Sequence, residues 1–291
     1  MRILVTDGMD KTAMAQLREM GHEVVEQFYE PDQLGAALKD FDAVVVRSKT
    51  KVRANHIDEA KTGKLKLIIR GGVGVDNIDV KYAESCGITV KNTPRASSQS
   101  VAELAMGHMF SCARYLSIAG HTMREDKWEK KAYGKGIELQ GKTLGIVGFG
   151  RIGQHLGVMA KAIGMKVVAF DIFHIPGIEE QLGIPYVEMD DLLAQADFVS
   201  VHAPAVDGGA LISAENIAKM KDGVVIINTS RGTNVDEAAL LAALESGKVR
   251  AAGLDVYADE PATNKALYSH PMVSCTPHIG AATVEAQKRI G

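Results

Sequence analysis

Short apolar runs rich in Val and Ile alternate with amphipathic stretches along almost the whole chain, the pattern of βα units that build parallel sheets. In the first third the runs Ile3 to Val5, Glu23 to Gln27, Ala43 to Arg47, Leu67 to Arg70 and Thr89 to Lys91 predict strands. The stretches Thr12 to Met20, Asp32 to Leu38, Ala54 to Lys61 and Val80 to Ser85 predict the helices between them. Helical spacing then runs from Ser98 to about Arg124 with no Pro or turn cluster, which predicts one long connecting helix. A second alternating series follows, with strands predicted at Thr143 to Val147, Lys166 to Phe170, Asp197 to Val201, Val224 to Asn228, Ala251 to Leu254 and Met272 to Cys275. Six strands separated by helices suit a complete dinucleotide-binding sheet, and the first five suit a smaller flavodoxin-like one. The expected architecture is therefore α/β with two Rossmann-like domains. A doubly wound parallel sheet over residues 98–280 is inserted in a smaller domain formed by residues 1–97 and completed by 281–291, where Thr283 to Ile290 predicts a returning helix.

Composition narrows the partners. With 46% hydrophobic and 24% charged residues the chain is expected to be globular rather than disordered. Lys plus Arg is 33 against 36 Asp plus Glu, a net charge of −3, so no basic excess is available to neutralise a phosphate backbone and no nucleic-acid partner is expected. Apolar runs such as Ala43 to Val46 and Val224 to Ile227 fall far short of the ~20 residues that span a bilayer. No membrane partner is expected. The opening Met1 to Asp7 has no signal-peptide apolar region, so a cytoplasmic location is expected. Cys86, Cys112 and Cys275 are odd in number and far apart, which fits neither a disulfide framework nor a zinc site; reduced, core or near-core thiols and no metal are expected.

Gly148-Phe149-Gly150-Arg151-Ile152-Gly153 is a GxGxxG lying between a predicted buried strand and a helix marked by Ile152, Leu156, Met159 and Ile163. There Gly148 permits a tight turn, Gly150 lets backbone approach a pyrophosphate, and Gly153 lets helix pack on strand. The next strand ends in Asp171, placed to accept hydrogen bonds from an adenosine ribose and to repel a 2′-phosphate. NAD rather than NADP is the expected cofactor.

Ligands of parallel sheets bind beyond the carboxyl ends of strands. Three predicted loops put ionisable residues there: Thr229-Ser230-Arg231-Gly232, Asp255 to Pro261 with Glu260, and Thr276-Pro277-His278-Ile279-Gly280. An arginine fork at Arg231 suits bidentate binding of a carboxylate.

These motifs, in this order and spacing, resemble the D-isomer-specific 2-hydroxyacid dehydrogenase family across essentially the whole chain. The resemblance implies that His278 exchanges a proton with the substrate oxygen, that Glu260 orients its imidazole and favours the protonated form, and that Arg231 anchors the substrate carboxylate. It places Arg151 and Ile152 with the three glycines at the pyrophosphate, and Asp255 at the nicotinamide carboxamide. Thr229, Ser230 and Gly280 fall on the ribose and nicotinamide side, and His202, Ala203 and Pro204 on the adenosine side. It likewise makes Arg70 to Asn77 a substrate loop, with Gly72, Val73 and Gly74 offering backbone N–H groups to a carboxylate. Homodimerisation through the NAD-binding domain is also implied.

Within the family the resemblance is best to the phosphoglycerate dehydrogenases, which open the phosphorylated route to serine. It rests on Val46 to Val52, Arg70, Asn92-Thr93-Pro94, Ser100 to Glu103 and Asp126 to Lys131. Arg47, Arg70 and Lys130 then stand where a substrate phosphate is gathered, Lys130 in place of a frequent Arg and in reach of a neighbouring subunit's site. The chain ends at Gly291 without those enzymes' regulatory extension, so serine feedback is not expected, and Ala205 to Gly209 lacks the usual Leu-Thr residues. A glyoxylate or hydroxypyruvate reductase is the alternative enzyme, and a NAD-sensing corepressor-like protein the alternative outside catalysis.

Overall fold

The computed structural model describes residues 1–291. The chain divides into two compact units, Met1–Ser98 with Ala281–Gly291, and Gln99–Gly280. The first unit contains β1 (Arg2–Val5), α1 (Lys11–Glu19), β2 (Glu23–Glu26), α2 (Pro31–Leu38), β3 (Ala43–Val46), α3 (Ala54–Ala60), β4 (Leu67–Arg70), α4 (Val80–Ser85) and β5 (Thr89–Asn92). Its strands are all parallel in the order β2-β1-β3-β4-β5, the flavodoxin-like arrangement. Leu4, Val44, Val46 and Ile68 pack with Leu34, Leu38 and Ile57 on one face, while Ile3, Val5 and Val45 pack with Met14 on the other. Two-sided burial is why β3 reads as an unbroken apolar run rather than an alternating one.

The second unit begins with α5 (Ser98–Arg114), whose first residue is the last of the first unit, and α6 (Leu116–Arg124). It continues through β6 (Thr143–Val147), α7 (Arg151–Ala162), β7 (Lys166–Phe170), α8 (Ile178–Leu182), α9 (Met189–Gln195), β8 (Phe198–Val201), α10 (Ala214–Lys219), β9 (Val224–Asn228), α11 (Glu237–Ser246), β10 (Val249–Leu254), α12 (Lys265–Tyr268) and β11 (Val273–Cys275). Its six strands are parallel in the order β11-β10-β9-β8-β6-β7, so strand order reverses at β6. Tyr186 bridges β7 at Ala169, and this single residue stands where the third strand of a doubly wound sheet runs. The final helix, α13 (Val284–Ile290), belongs to the first unit; Thr283 caps it by accepting from Ala286 N at 3.0 Å, and Arg289 Nε donates to Ala96 O at 2.7 Å. No helix is long and apolar enough to cross a membrane.

Three expectations need correction. The long helix from Ser98 is broken at Tyr115, which takes a left-handed conformation (φ 60°). Side chains rather than Gly or Pro hold that break: Tyr115 Oη donates to Lys135 O at 3.2 Å, accepts from Arg250 Nη2 at 3.0 Å, and its ring lies 5.7 Å from that of Tyr133. The buried stripe of α7 is made by Gly153, Leu156, Gly157 and Ala160, with Ile152 and Met159 only flanking it and Ile163 beyond its end, because small residues allow the helix to lie close on the sheet. Cys112 is buried and Cys86 half-buried as expected, but Cys275 is exposed, since it is the last residue of an edge strand.

Candidate active site

The glycine motif forms the turn from β6 into α7, beside the point where strand order reverses. Gly148 has φ +94°, and a side chain there would come within 2.6 Å of the His202 carbonyl carbon and Ala203 N. The β6 and β8 loops therefore touch, bringing the His202-Ala203-Pro204 turn to the glycine turn. Gly150 is the N-cap of α7 and supplies no side-chain cap, which leaves first-turn N–H groups to meet an anion. Asp171 directly follows β7, and its carboxylate accepts from Phe149 N at 2.7 Å and from Phe173 N at 3.1 Å. His202 shares a hydrogen bond with Ser200 Oγ at 2.7 Å, and burial pushes its pKa down to about 4, so the imidazole is neutral. Its Nδ1 and the Thr229 hydroxyl are buried with no partner in the protein. Two orphaned polar atoms, an uncapped helix and an acid after β7 fit a dinucleotide.

Three loops at the carboxyl ends of β9, β10 and β11 carry the remaining candidates. Asn228, the last residue of β9, accepts from Ser230 N at 3.1 Å and Ser230 Oγ at 2.8 Å and donates to Arg231 O at 2.9 Å. That wrap fixes the turn from which Arg231 projects. A side chain at Gly232 would overlap the Tyr257 carbonyl and lie 2.6 Å from Ala258 N, so the β9 and β10 loops are in direct contact. His278 Nδ1 and Glu260 Oε2 are 2.6 Å apart, with both side chains partly exposed. The hydrogen bond to Glu260 raises the His278 pKa, opposed by burial and by the positive charge of Arg231. Burial pushes the Glu260 carboxyl up, but the bond from His278, the Tyr257 N–H and the Arg231 charge outweigh it and hold it below the usual range. Arg231 thus lies near enough to both partners to act on their charges. An imidazole with a carboxylate on one nitrogen, beside a guanidinium, can transfer a proton to a substrate held by its carboxylate.

Asp255 secures the histidine loop: its carbonyl accepts from His278 N at 2.9 Å, and its carboxylate accepts from Ile279 N at 2.8 Å and Gly280 N at 2.9 Å. His278 is left-handed there, with φ 54°.

In the first unit, β3 and β4 are neighbours and Val46 pairs with Arg70, so Arg47 and Arg70 close adjoining strands. Arg70 Nη1 donates to Gly71 O at 2.7 Å, folding the guanidinium over the Gly72-Val73-Gly74 loop. Lys130 belongs to the other unit, on an exposed turn after α6.

Three residues that tie these loops together are given no such structural role by the sequence, although Asn77 falls in the expected substrate loop. Asp7 accepts from Arg47 N, Thr50 N and Thr50 Oγ1 at 2.6–2.9 Å, and Asn77 Nδ2 donates to Arg47 O and Thr50 O, together fixing the Arg47 turn. Asn234, fully buried, shares its amide hydrogens among Ala203 O, Pro204 O and Ser230 Oγ at 2.9–3.2 Å, tying the cofactor turn to the Arg231 turn.

Residues 106–280 match the sequence profile of the D-isomer specific 2-hydroxyacid dehydrogenase NAD binding domain. The chain is 49% identical over its whole length to a hydroxypyruvate reductase of Thermotoga maritima, covering 94% of that protein. It is 44% identical, again over its whole length, to a D-3-phosphoglycerate dehydrogenase of Methanocaldococcus jannaschii, of which it spans only 55%. A solved glyoxylate reductase from Paecilomyes thermophila superposes with a TM-score of 0.89 at 32% identity, covering 99% of this chain and 91% of that one. The chain belongs to the D-isomer specific 2-hydroxyacid dehydrogenases. They are NAD-dependent oxidoreductases, and NAD is the cofactor that the residues around Gly148 and Asp171 fit.

Proposed function

We propose that this enzyme oxidises D-3-phosphoglycerate to 3-phosphohydroxypyruvate. Arg231 is assigned to the substrate carboxylate, and the backbone N–H groups of Gly72, Val73 and Gly74 are the first unit's donors for substrate. His278 Nε2 takes the proton of the C2 hydroxyl, and Glu260 at Nδ1 stabilises the imidazolium that results. NAD, when bound, would supply the acceptor for the hydride lost from C2. Asp255, Thr229, Ser230 and Gly280 hold the nicotinamide and ribose side, Gly148, Gly150, Arg151, Ile152 and Gly153 the pyrophosphate, and Asp171, His202, Ala203 and Pro204 the adenosine side.

The phosphorylated substrate rests on one observation: Arg47 and Arg70 close adjoining strands at the mouth of the glycine loop, a pair of cations matched to a dianion. Lys130 is the third proposed cation. Replacing Arg47 with Ala, which spares the Arg70 bond to Gly71, is expected to raise KM for phosphoglycerate roughly ten- to a hundredfold with kcat little changed. The second reading, hydroxypyruvate reduction by the same Arg231, Glu260 and His278, is favoured by the Thermotoga maritima relative. In that case Arg47→Ala leaves hydroxypyruvate turnover unaltered and wild-type protein ignores phosphoglycerate. The proposed enzyme acts in the cytoplasm, at the entry to serine synthesis, as a homodimer through its NAD-binding unit, which exposes Leu116, Met123 and Trp128.

A further inference from the structure

We propose that His108 is a positioning residue for the His278 loop, acting through Thr276 and Asp255. His108 is on α5, only 3% exposed, amid residues that otherwise form the core. Its Nδ1 lies 2.9 Å from Ser274 Oγ and its Nε2 lies 3.0 Å from Thr276 Oγ1. Thr276 Oγ1 in turn lies 2.7 Å from Asp255 Oδ1.

Donor logic fixes the direction of this chain. A carboxylate only accepts, so the Thr276 hydroxyl donates to Asp255. A hydroxyl has one hydrogen, so Thr276 accepts from His108, whose proton is on Nε2. Burial lowers the pKa of His108, with the Asp255 charge opposing, so the ring is neutral and its bare Nδ1 accepts from Ser274 Oγ. Every hydrogen in the run from Ser274 to Asp255 is assigned.

Asp255 is the clamp of the catalytic loop, receiving the N–H groups of residues 278, 279 and 280. The carboxylate receives Ile279 N and Gly280 N, while the backbone carbonyl receives His278 N, so a turn of the carboxylate frees the two N–H groups that follow the left-handed histidine and loosens the loop. The Thr276 hydroxyl, oriented by His108, sets the carboxylate from the other side. Without the His108 N–H, a buried hydroxyl oxygen lacks a donor and the hydroxyl can turn off Asp255. The His278 ring then departs from the 2.6 Å contact that raises its pKa.

The inference rests on the dehydrogenase reading but on neither substrate in particular. The test compares wild type, His108→Leu, His108→Gln and Thr276→Val, following the His278 ring titration by NMR and, separately, the pH profile of keto-acid reduction. His108→Leu and Thr276→Val are each expected to lower the His278 pKa toward ~6.5 and to cut kcat roughly ten- to a hundredfold. His108→Gln, whose amide N–H can reach Thr276, is expected to restore both. The double variant should be no worse than either single one, as for residues in one chain of bonds. A wild-type His278 titration in Thr276→Val overturns the proposal, as do losses in the two variants that simply add. Should His108→Leu fail to fold, the near-isosteric Thr276→Val and the Gln variant decide alone. Wild-type protein inert toward every keto acid would instead sink the dehydrogenase reading, and the NMR titration would still judge the His108 chain.

Discussion

In the proposed reaction proton transfer rests on the 2.6 Å contact between His278 Nδ1 and Glu260 Oε2, and its pH dependence follows from the sign of the shift. The His278 pKa is raised above 6.5 by its bond to Glu260. Reduction of a keto acid needs the imidazolium, so its rate is level below that raised pKa and falls as pH climbs through it; oxidation needs the neutral ring and rises through the same value. Glu260→Gln removes the anion and is expected to move both transitions down toward ~6.5 and to slow reduction at neutral pH about tenfold, measured by initial rates across pH. His278→Asn is expected to lower turnover by roughly 10²–10⁴-fold while fluorescence titration shows NADH bound as before. Arg231, Glu260 and His278 could be singled out in sequence because each lies in a loop after a predicted strand and in a motif that resembles the family's. His108 was not, because one polar residue in an otherwise apolar helical face carries no sign of the three-bond chain it starts, which closes across 166 to 168 residues of sequence.

At the scale of elements, the strands, the four helices of the first unit and the returning helix followed from apolar spacing to within a residue or two. β4, β6, β7 and β9 match their expected bounds, and β6 and β9, which lie inside their sheet, read as nearly unbroken apolar runs. Spacing could not show the break at Tyr115: α5 and α6 both keep helical periodicity, and only the phenol's contacts with Lys135, Arg250 and Tyr133 reveal the interruption. Nor could it show that the third strand is reduced to Tyr186, a single bridge. The loop contacts are equally demanding. Gly148→Ala forces a Cβ against the His202–Ala203 backbone at positive φ, and is expected to destabilise the fold by about 2–4 kcal/mol and to weaken NADH binding, read from denaturant unfolding and fluorescence titration.

For the whole molecule, one unit carries the proton-transfer pair and the dinucleotide turn, while the other offers a glycine loop with two arginines. The two-sheet organisation was legible because two series of βα units are separated by one helical stretch. The substrate was less legible, since Arg47, Arg70 and Lys130, the cations proposed for a phosphate, look in sequence like ordinary surface charge. The proposed selection of NAD over NADP rests on a single carboxylate, Asp171. Asp171→Ala is expected to relax the preference for NAD over NADP by about tenfold or more, measured as the ratio of kcat/KM, because it removes the charge that repels a 2′-phosphate.

The most direct measurement is NADH formation by purified protein offered D-3-phosphoglycerate, followed by NADH absorbance beside oxidation of NADH with hydroxypyruvate, glyoxylate and pyruvate. Turnover of phosphoglycerate, lost on His278→Asn and weakened in KM by Arg47→Ala, is the predicted result. A protein that binds NADH and reduces hydroxypyruvate but leaves phosphoglycerate untouched would contradict the assignment of Arg47 and Arg70 to a substrate phosphate.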